Sequence, residues 1–214
     1  MPILAEHVAD YLAGLKPEPD PLLAEMEALA ERERVPIVQW DTGCLLAALA
    51  RVLDPFVLEV GTAIGYSTLL IARELDRGRV VTIERDPARA SQARDFLERG
   101  GVTQPVQLIE DDPLTAIETL EGPFGMLFID ASKDESLDYL EAAEGILTER
   151  ALLVVDNLLM SGEVAGEPEG DTARWTRESL FAAREFNAFL AASEQWVGAT
   201  LPVGDGIAIA GRRL

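Results

Sequence analysis

The chain is poor in several things, and each shortage excludes something. A single cysteine, Cys44, rules out an internal disulfide. It sits in an apolar stretch, Cys44-Leu45-Leu46-Ala47, and is expected as buried filler rather than as a nucleophile. No apolar run approaches the ~20 residues of a membrane span, so no membrane association is expected. The opening residues, Met1 to His7, lack the basic-then-apolar pattern of a signal peptide. A cytoplasmic location is the expectation. Internal repeats, low-complexity tracts and signs of a second domain are also missing. The whole of 1–214 is therefore expected as one domain, with 1–34 as an N-terminal helical extension. Lysine is nearly absent: Lys16 and Lys133 stand against sixteen arginines. Arginine cannot lose its proton in a protein, whereas a desolvated lysine can. Lys133 stands out for that reason.

What is present is an ordinary core-forming composition, 48% hydrophobic and 26% charged in 214 residues. The net charge is −20. Such a surface repels polyanions and disfavours nucleic acid as a partner. Its simplest consequence is solubility.

The N-terminal part reads as two helices. Asp20-Pro21 supplies an N-cap and first-turn pair for the second, Leu22 to Arg34. Asp41 is positioned to cap a third helix that runs through Leu53. Short apolar runs then recur: Phe56-Val57-Leu58, Val80 to Ile83, Val106 to Ile109, Met126 to Ile129 and Ala151 to Val155. Helix-length amphipathic segments separate them, one capped by Asp86-Pro87. This alternation predicts a parallel sheet with crossover helices, a doubly wound, Rossmann-like α/β fold. A polar segment from Ser161 to Asp171, with Gly162, Gly166 and Gly170, reads as a loop, and a helix from about Thr172 to Ala192 follows. Trp196 to Leu201 and Ile207 to Gly211 close the chain as a C-terminal hairpin around Gly204-Asp205-Gly206, for a seven-stranded, mostly parallel sheet.

The five parallel strands share an acidic ending: Glu59, Glu84, Glu110-Asp111, Asp130 and Asp156. Acids are poor strand residues. Carboxyl ends of strands line the ligand crevice in open α/β sheets. A crevice ringed by carboxylates suits hydroxyls, a positive charge or a metal better than phosphates. The first strand-to-helix turn, Gly61-Thr62-Ala63-Ile64-Gly65, departs from G-x-G-x-x-G: Ala63 replaces the middle glycine and the outer pair is one residue closer. No close approach to a pyrophosphate is provided, which disfavours a nicotinamide-dependent oxidoreductase. Glu84 lies nineteen residues past Gly65, the offset of an acid that accepts from a ribose diol, and so indicates a nucleoside. Asp130 with Asp156 and Asn157, 26 and 27 residues later, offers hard oxygen donors that suit Mg²⁺ or Ca²⁺. Lys133 falls in the first turn of the next helix, where a cation opposes the helix dipole. Its retention there points to a role.

Taken in order, "VLEVGTAIGYST", "VVTIERD", "FIDASK", "VVDNLL" and "LPVGDGIAIA" resemble the metal-dependent O-methyltransferases of the caffeoyl-CoA and catechol type, from about Val35 to Leu214. The resemblance implies S-adenosyl-L-methionine as methyl donor and a small hydroxylated, catechol-like acceptor. By the same resemblance, Glu59, Gly61 and Ser67 hold the methionine end, with Thr62, Gly65 and Tyr66 in the same turn and Val38 nearby. Glu84 holds the ribose, Asp111 and Asp112 lie by the adenine, and Asp130 lies close to the donor. Asp130, Asp156 and Asn157 bind a divalent metal (Mg²⁺, with Ca²⁺ or Mn²⁺ also accepted by oxygen donors), and Lys133 is the general base. The segment 158–170 is expected as a lid, and a homodimer is implied. The chain departs from the family pattern at Glu110-Asp111-Asp112, often Gly-Asp-Ala, at Glu135-Ser136, often Asn-Tyr, and at Met160, often aromatic in plant members. The glycine turn is also similar to that of tRNA wobble hydroxyuridine O-methyltransferases, so tRNA stands as an alternative acceptor. A non-catalytic module that only binds the donor is a third reading.

Overall fold

The computed structural model describes residues 4–166 and 175–214. Seven strands form one sheet in the order β3-β2-β1-β4-β5-β7-β6. The strands are β1 (Phe56–Val60), β2 (Arg79–Glu84), β3 (Val106–Glu110), β4 (Phe124–Ile129), β5 (Leu147–Val155), β6 (Trp196–Leu201) and β7 (Ile207–Arg212). The first five are mutually parallel, and β7 runs antiparallel to both β5 and β6. The chain winds outward from β1 to β3 and then returns to start again at β4. The cleft between the carboxyl ends of β1 and β4 is thus the switch point at which open α/β sheets bind ligands.

The continuous apolar runs follow from burial on both faces. Successive side chains alternate across the sheet. In β1, Leu58 and Val60 join one core cluster and Val57 the other; in β4, Leu127 and Ile129 separate likewise from Met126 and Phe128. Helices α6 (Pro113–Glu118), α7 (Ser136–Ala143) and α8 (Arg177–Ala192) cover the first face. Helices α2 (Pro21–Glu33), α3 (Trp40–Leu53), α4 (Tyr66–Ala72) and α5 (Pro87–Arg99) cover the second. The first helix, α1 (Glu6–Ala13), buries none of its residues.

Asp20, Asp86 and Asp112 cap α2, α5 and α6, each accepting two backbone N–H groups ahead of a proline at the first helical position. Three local expectations need correction. Asp41 is not a cap: Gln39 holds that place, and Asp41, one residue inside α3, accepts instead from the Gly204 N–H at 2.9 Å. Cys44 is exposed, because α3 turns Thr42, Gly43, Leu46 and Ala50 inward and a residue two places from Leu46 faces away. The last helix starts at Arg177 behind Thr176, whose hydroxyl accepts from the Ser179 N–H. Residues 172–174, with the expected loop positions 167–171, lie outside the described residues. The described start of that segment forms 3-10 turns over Met160–Ala165.

Candidate active site

The site is built where β1, β2, β4 and β5 end. Gly61 leaves β1 with φ +98°, and a Cβ placed there would lie 2.2 Å from the Asp130 carbonyl oxygen. Only glycine permits this approach. It lets the ends of β1 and β4 close on one another, with the Asp130 N–H bonded to the Val60 carbonyl. The turn's own amides have partners within the chain. Gly61 and Thr62 donate to the Ile83 carbonyl, Ala63 to Glu84 Oε2 at 2.8 Å, and Gly65 to Thr62. These four are therefore not arranged as a phosphate cradle, in keeping with the spacing of the glycines.

Glu84 braces this turn. Its second oxygen accepts from the Asp86 N–H at 2.8 Å, so one carboxylate ties the loop after β1 to the loop after β2. A cavity of about 300 Å³ opens beside it, with Gly61, Glu84, Arg85, Pro113 and Ser132 among its lining. Glu59 is fully buried in β1 and accepts from the Ser67 hydroxyl at 2.6 Å and the Thr68 hydroxyl at 2.5 Å. Burial pushes its carboxyl above the ordinary range; the hydroxyls oppose that and the nearby Asp130 adds to it. Thr62 pairs with Thr82 through their hydroxyls at 2.6 Å. Tyr66 turns its hydroxyl to Glu27 at 2.7 Å, and Val38 is buried against the same face of the sheet. Asp111 and Asp112 are exposed beyond β3; Asp111 accepts from the Asp112 N–H, and Asp112 caps α6.

Asp130 and Asp156 follow adjacent paired strands, Ile129 standing opposite Val155 in the register. Asp156 is 1% exposed, and its N–H donates to the Ile129 carbonyl. Burial raises its carboxyl well above the ordinary range, the charge of Asp130 raises it further, and Lys133 opposes both. Asn157 next turns the chain through φ 58°, a conformation asparagine tolerates. Lys133 opens a 3-10 turn after β4 with its side chain 6% exposed. Its Nζ lies 3.6 Å from Asp130 Oδ1, too far for a hydrogen bond, and has no hydrogen-bond partner. A buried ammonium in that state is costly unless something else completes its surroundings.

Among the described residues no three His, Cys, Asp or Glu side chains are arranged to hold an ion. The candidate set is two carboxylates and an amide. Its donors fit a hard divalent cation, and two carboxylates crowded at the ends of adjacent strands are the arrangement that such a cation relieves.

Two features went unread in the sequence. Arg85 donates to Glu135 Oε2 and to the Tyr139 hydroxyl, both at 2.8 Å, and Tyr139 donates to Glu135 at 2.6 Å. This ties the end of β2 to the turn that carries Lys133. The partners are fifty residues apart, and only the complementary charges of Arg85 and Glu135 hinted at it. Asp205, read as hairpin chemistry, is 8% exposed and accepts from the Ser161 N–H at 2.5 Å. Its carbonyl also receives the Leu159 and Met160 N–H groups, and its charge reaches Asp156.

Comparison with known proteins agrees with this architecture. Residues 19–213 match the O-methyltransferase family model. A catechol O-methyltransferase of Niastella koreensis is 36% identical over 88% of this chain and 86% of its own length. One of Mycobacterium tuberculosis is 35% identical over 84% of each. Among solved structures, the O-methyltransferase TomG of Streptomyces achromogenes in complex with S-adenosylmethionine superposes with a TM-score of 0.83 at 28% identity, covering 99% of this chain and 100% of the other. The Bacillus cereus O-methyltransferase in complex with S-adenosylhomocysteine gives 0.82 at 26% identity, with 97% of each chain covered. With the family model spanning nearly its whole length, the chain belongs to the O-methyltransferase family.

Proposed function

We propose that the protein transfers a methyl group from S-adenosylmethionine to one of two adjacent hydroxyls on a small catechol-like acceptor, with a divalent cation held by Asp130, Asp156 and Asn157. The observation that carries this reading is Lys133, a buried lysine whose Nζ has no hydrogen-bond partner and stands 3.6 Å from Asp130, beside two crowded carboxylates at the switch point of the sheet.

A bound cation supplies Lewis acidity, lowering the pKa of an acceptor hydroxyl. Lys133 Nζ, acting as the neutral amine, is the chain's own group to take that proton and becomes the ammonium in doing so. The acceptor oxygen then takes the methyl from the sulfonium in line, and the sulfur leaves with the bonding pair. Gly61 and the braced turn fix the donor beside Asp130, so much of the rate comes from holding the partners at attack distance. The loop 158–170 after β5 is assigned here the role of excluding water.

Calorimetric titration of S-adenosylmethionine, with turnover of catechol measured in Mg²⁺ and in EDTA, tests this reading. Donor binding in both conditions with turnover only in Mg²⁺ is expected. Equal turnover in EDTA removes the cation from the mechanism. Lys133→Ala is expected to keep donor affinity and lower kcat by roughly 10²–10⁴-fold, the usual contribution of a positioned base. Unchanged kcat removes the base assignment.

A further inference from the structure

A second cavity, of about 390 Å³, opens at the same end of the sheet on the β5–β7 side. Ser161, Gly204 and Asp205 line it from the loops beyond β5 and before β7, Trp40 and Asp41 from the start of α3, and Leu12 from α1. It adjoins the reactive centre through Asp205, whose carbonyl receives the N–H groups of Leu159 and Met160, just past Asp156 and Asn157.

The charges in this cavity select what it can take. Its lining is mostly apolar, with two carboxylates, Asp41 and Asp205. Among the described residues that line it, Lys16 is the one cation, and it already pairs with Glu27 at 2.8 Å. Arg184 on α8, beside the loop after β5, is engaged by the carbonyls of Val164 and Gly166. Among the described residues of the lining, a phosphate or carboxylate tail entering here meets two acids and a lysine already paired with Glu27, so its desolvation goes uncompensated there.

We infer, resting on the catechol reading above, that this cavity is the acceptor chamber and that it takes a compact dihydroxyphenyl compound with no anionic group, excluding hydroxycinnamates and their coenzyme A thioesters. Specificity lies partly in α1. That helix buries nothing, so a change at Leu12 alters the chamber without disturbing the core.

The probes are catechol, 3,4-dihydroxyphenethylamine, 3,4-dihydroxycinnamate and the coenzyme A thioester of the last. Each is titrated against the protein in Mg²⁺ and S-adenosylhomocysteine with Trp40 fluorescence as readout, and each is then offered for methylation. Catechol and the amine are expected to bind and react at least about tenfold better than the carboxylate, a difference of ~1.4 kcal/mol, and the thioester worse still. Trp40→Phe is expected to remove the acceptor-dependent fluorescence change. Leu12→Arg is expected to improve the carboxylate about tenfold relative to catechol, with affinity for S-adenosylmethionine unchanged. A thioester bound and methylated as well as catechol overturns the inference. So does a Leu12→Arg variant with wild-type selectivity. If no probe is methylated but Trp40 still ranks them in the expected order, the catalytic reading fails and the chamber stands.

Discussion

Gly61 is the residue on which the site's geometry turns. Its φ is positive and the Asp130 carbonyl blocks the place of a side chain. Gly61→Ala therefore combines left-handed strain of ~1–2 kcal/mol with overpacking of ~1–3 kcal/mol. Urea denaturation is expected to show a loss of roughly 2–5 kcal/mol, together with lost donor binding. A variant as stable as the parent means that β4 moves aside freely. Lys133 was legible in the sequence because lysine is so rare here; the helical first turn expected for it is instead a 3-10 turn, with α7 beginning at Ser136. Glu84 was legible as an acid at a fixed offset, but not as the brace of two loops, since its backbone partners, Ala63 and Asp86, carry no side-chain signal. Asp205 was hidden by its neighbours: an aspartate between glycines reads as turn chemistry whether or not it also faces a site.

At the level of elements, the caps were readable because Asp-Pro pairs state their own geometry. Asp41 stands two residues past the cap position, Gln39, which is enough to exchange a cap for a long-range bond to Gly204. Asp20 shows what a cap does energetically. Burial raises its carboxyl, but the Leu23 N–H and Arg73 together outweigh that and hold it below the ordinary range. A carboxyl lowered in the folded state contributes stability above its unfolded pKa, ~3.9, and that contribution is lost as pH falls through the folded value. Asp20→Ala is thus expected to cost about 1 kcal/mol at pH 7, and the gap between variant and parent should close in strong acid. A gap that persists unchanged at acid pH assigns the effect to packing instead of charge. The Arg85–Glu135–Tyr139 link was beyond the reach of local patterns, because it joins residues from two crossovers that meet only once the sheet has formed.

For the molecule as a whole, the mostly parallel, doubly wound sheet was legible from apolar runs alternating with helices, since a sheet buried on both faces leaves little else for such runs to do. The charge of −20 acts at this scale. It sets like charges against one another, with a range that shrinks from ~30 Å at 0.01 M salt to ~8 Å at 0.15 M. The melting temperature is expected to rise with NaCl; a fall means that surface ion pairs such as Lys16–Glu27 outweigh the general repulsion. The same field opposes tRNA. Filter retention at low salt is expected to show no binding, and retention that weakens steeply with added salt would reopen the nucleic-acid acceptor. Finally, α1 hides none of its residues. If α1 walls the acceptor chamber as inferred above, a lineage can drift through α1 sequences at little risk to folding, and laboratory selection for a new acceptor is best begun on that helix.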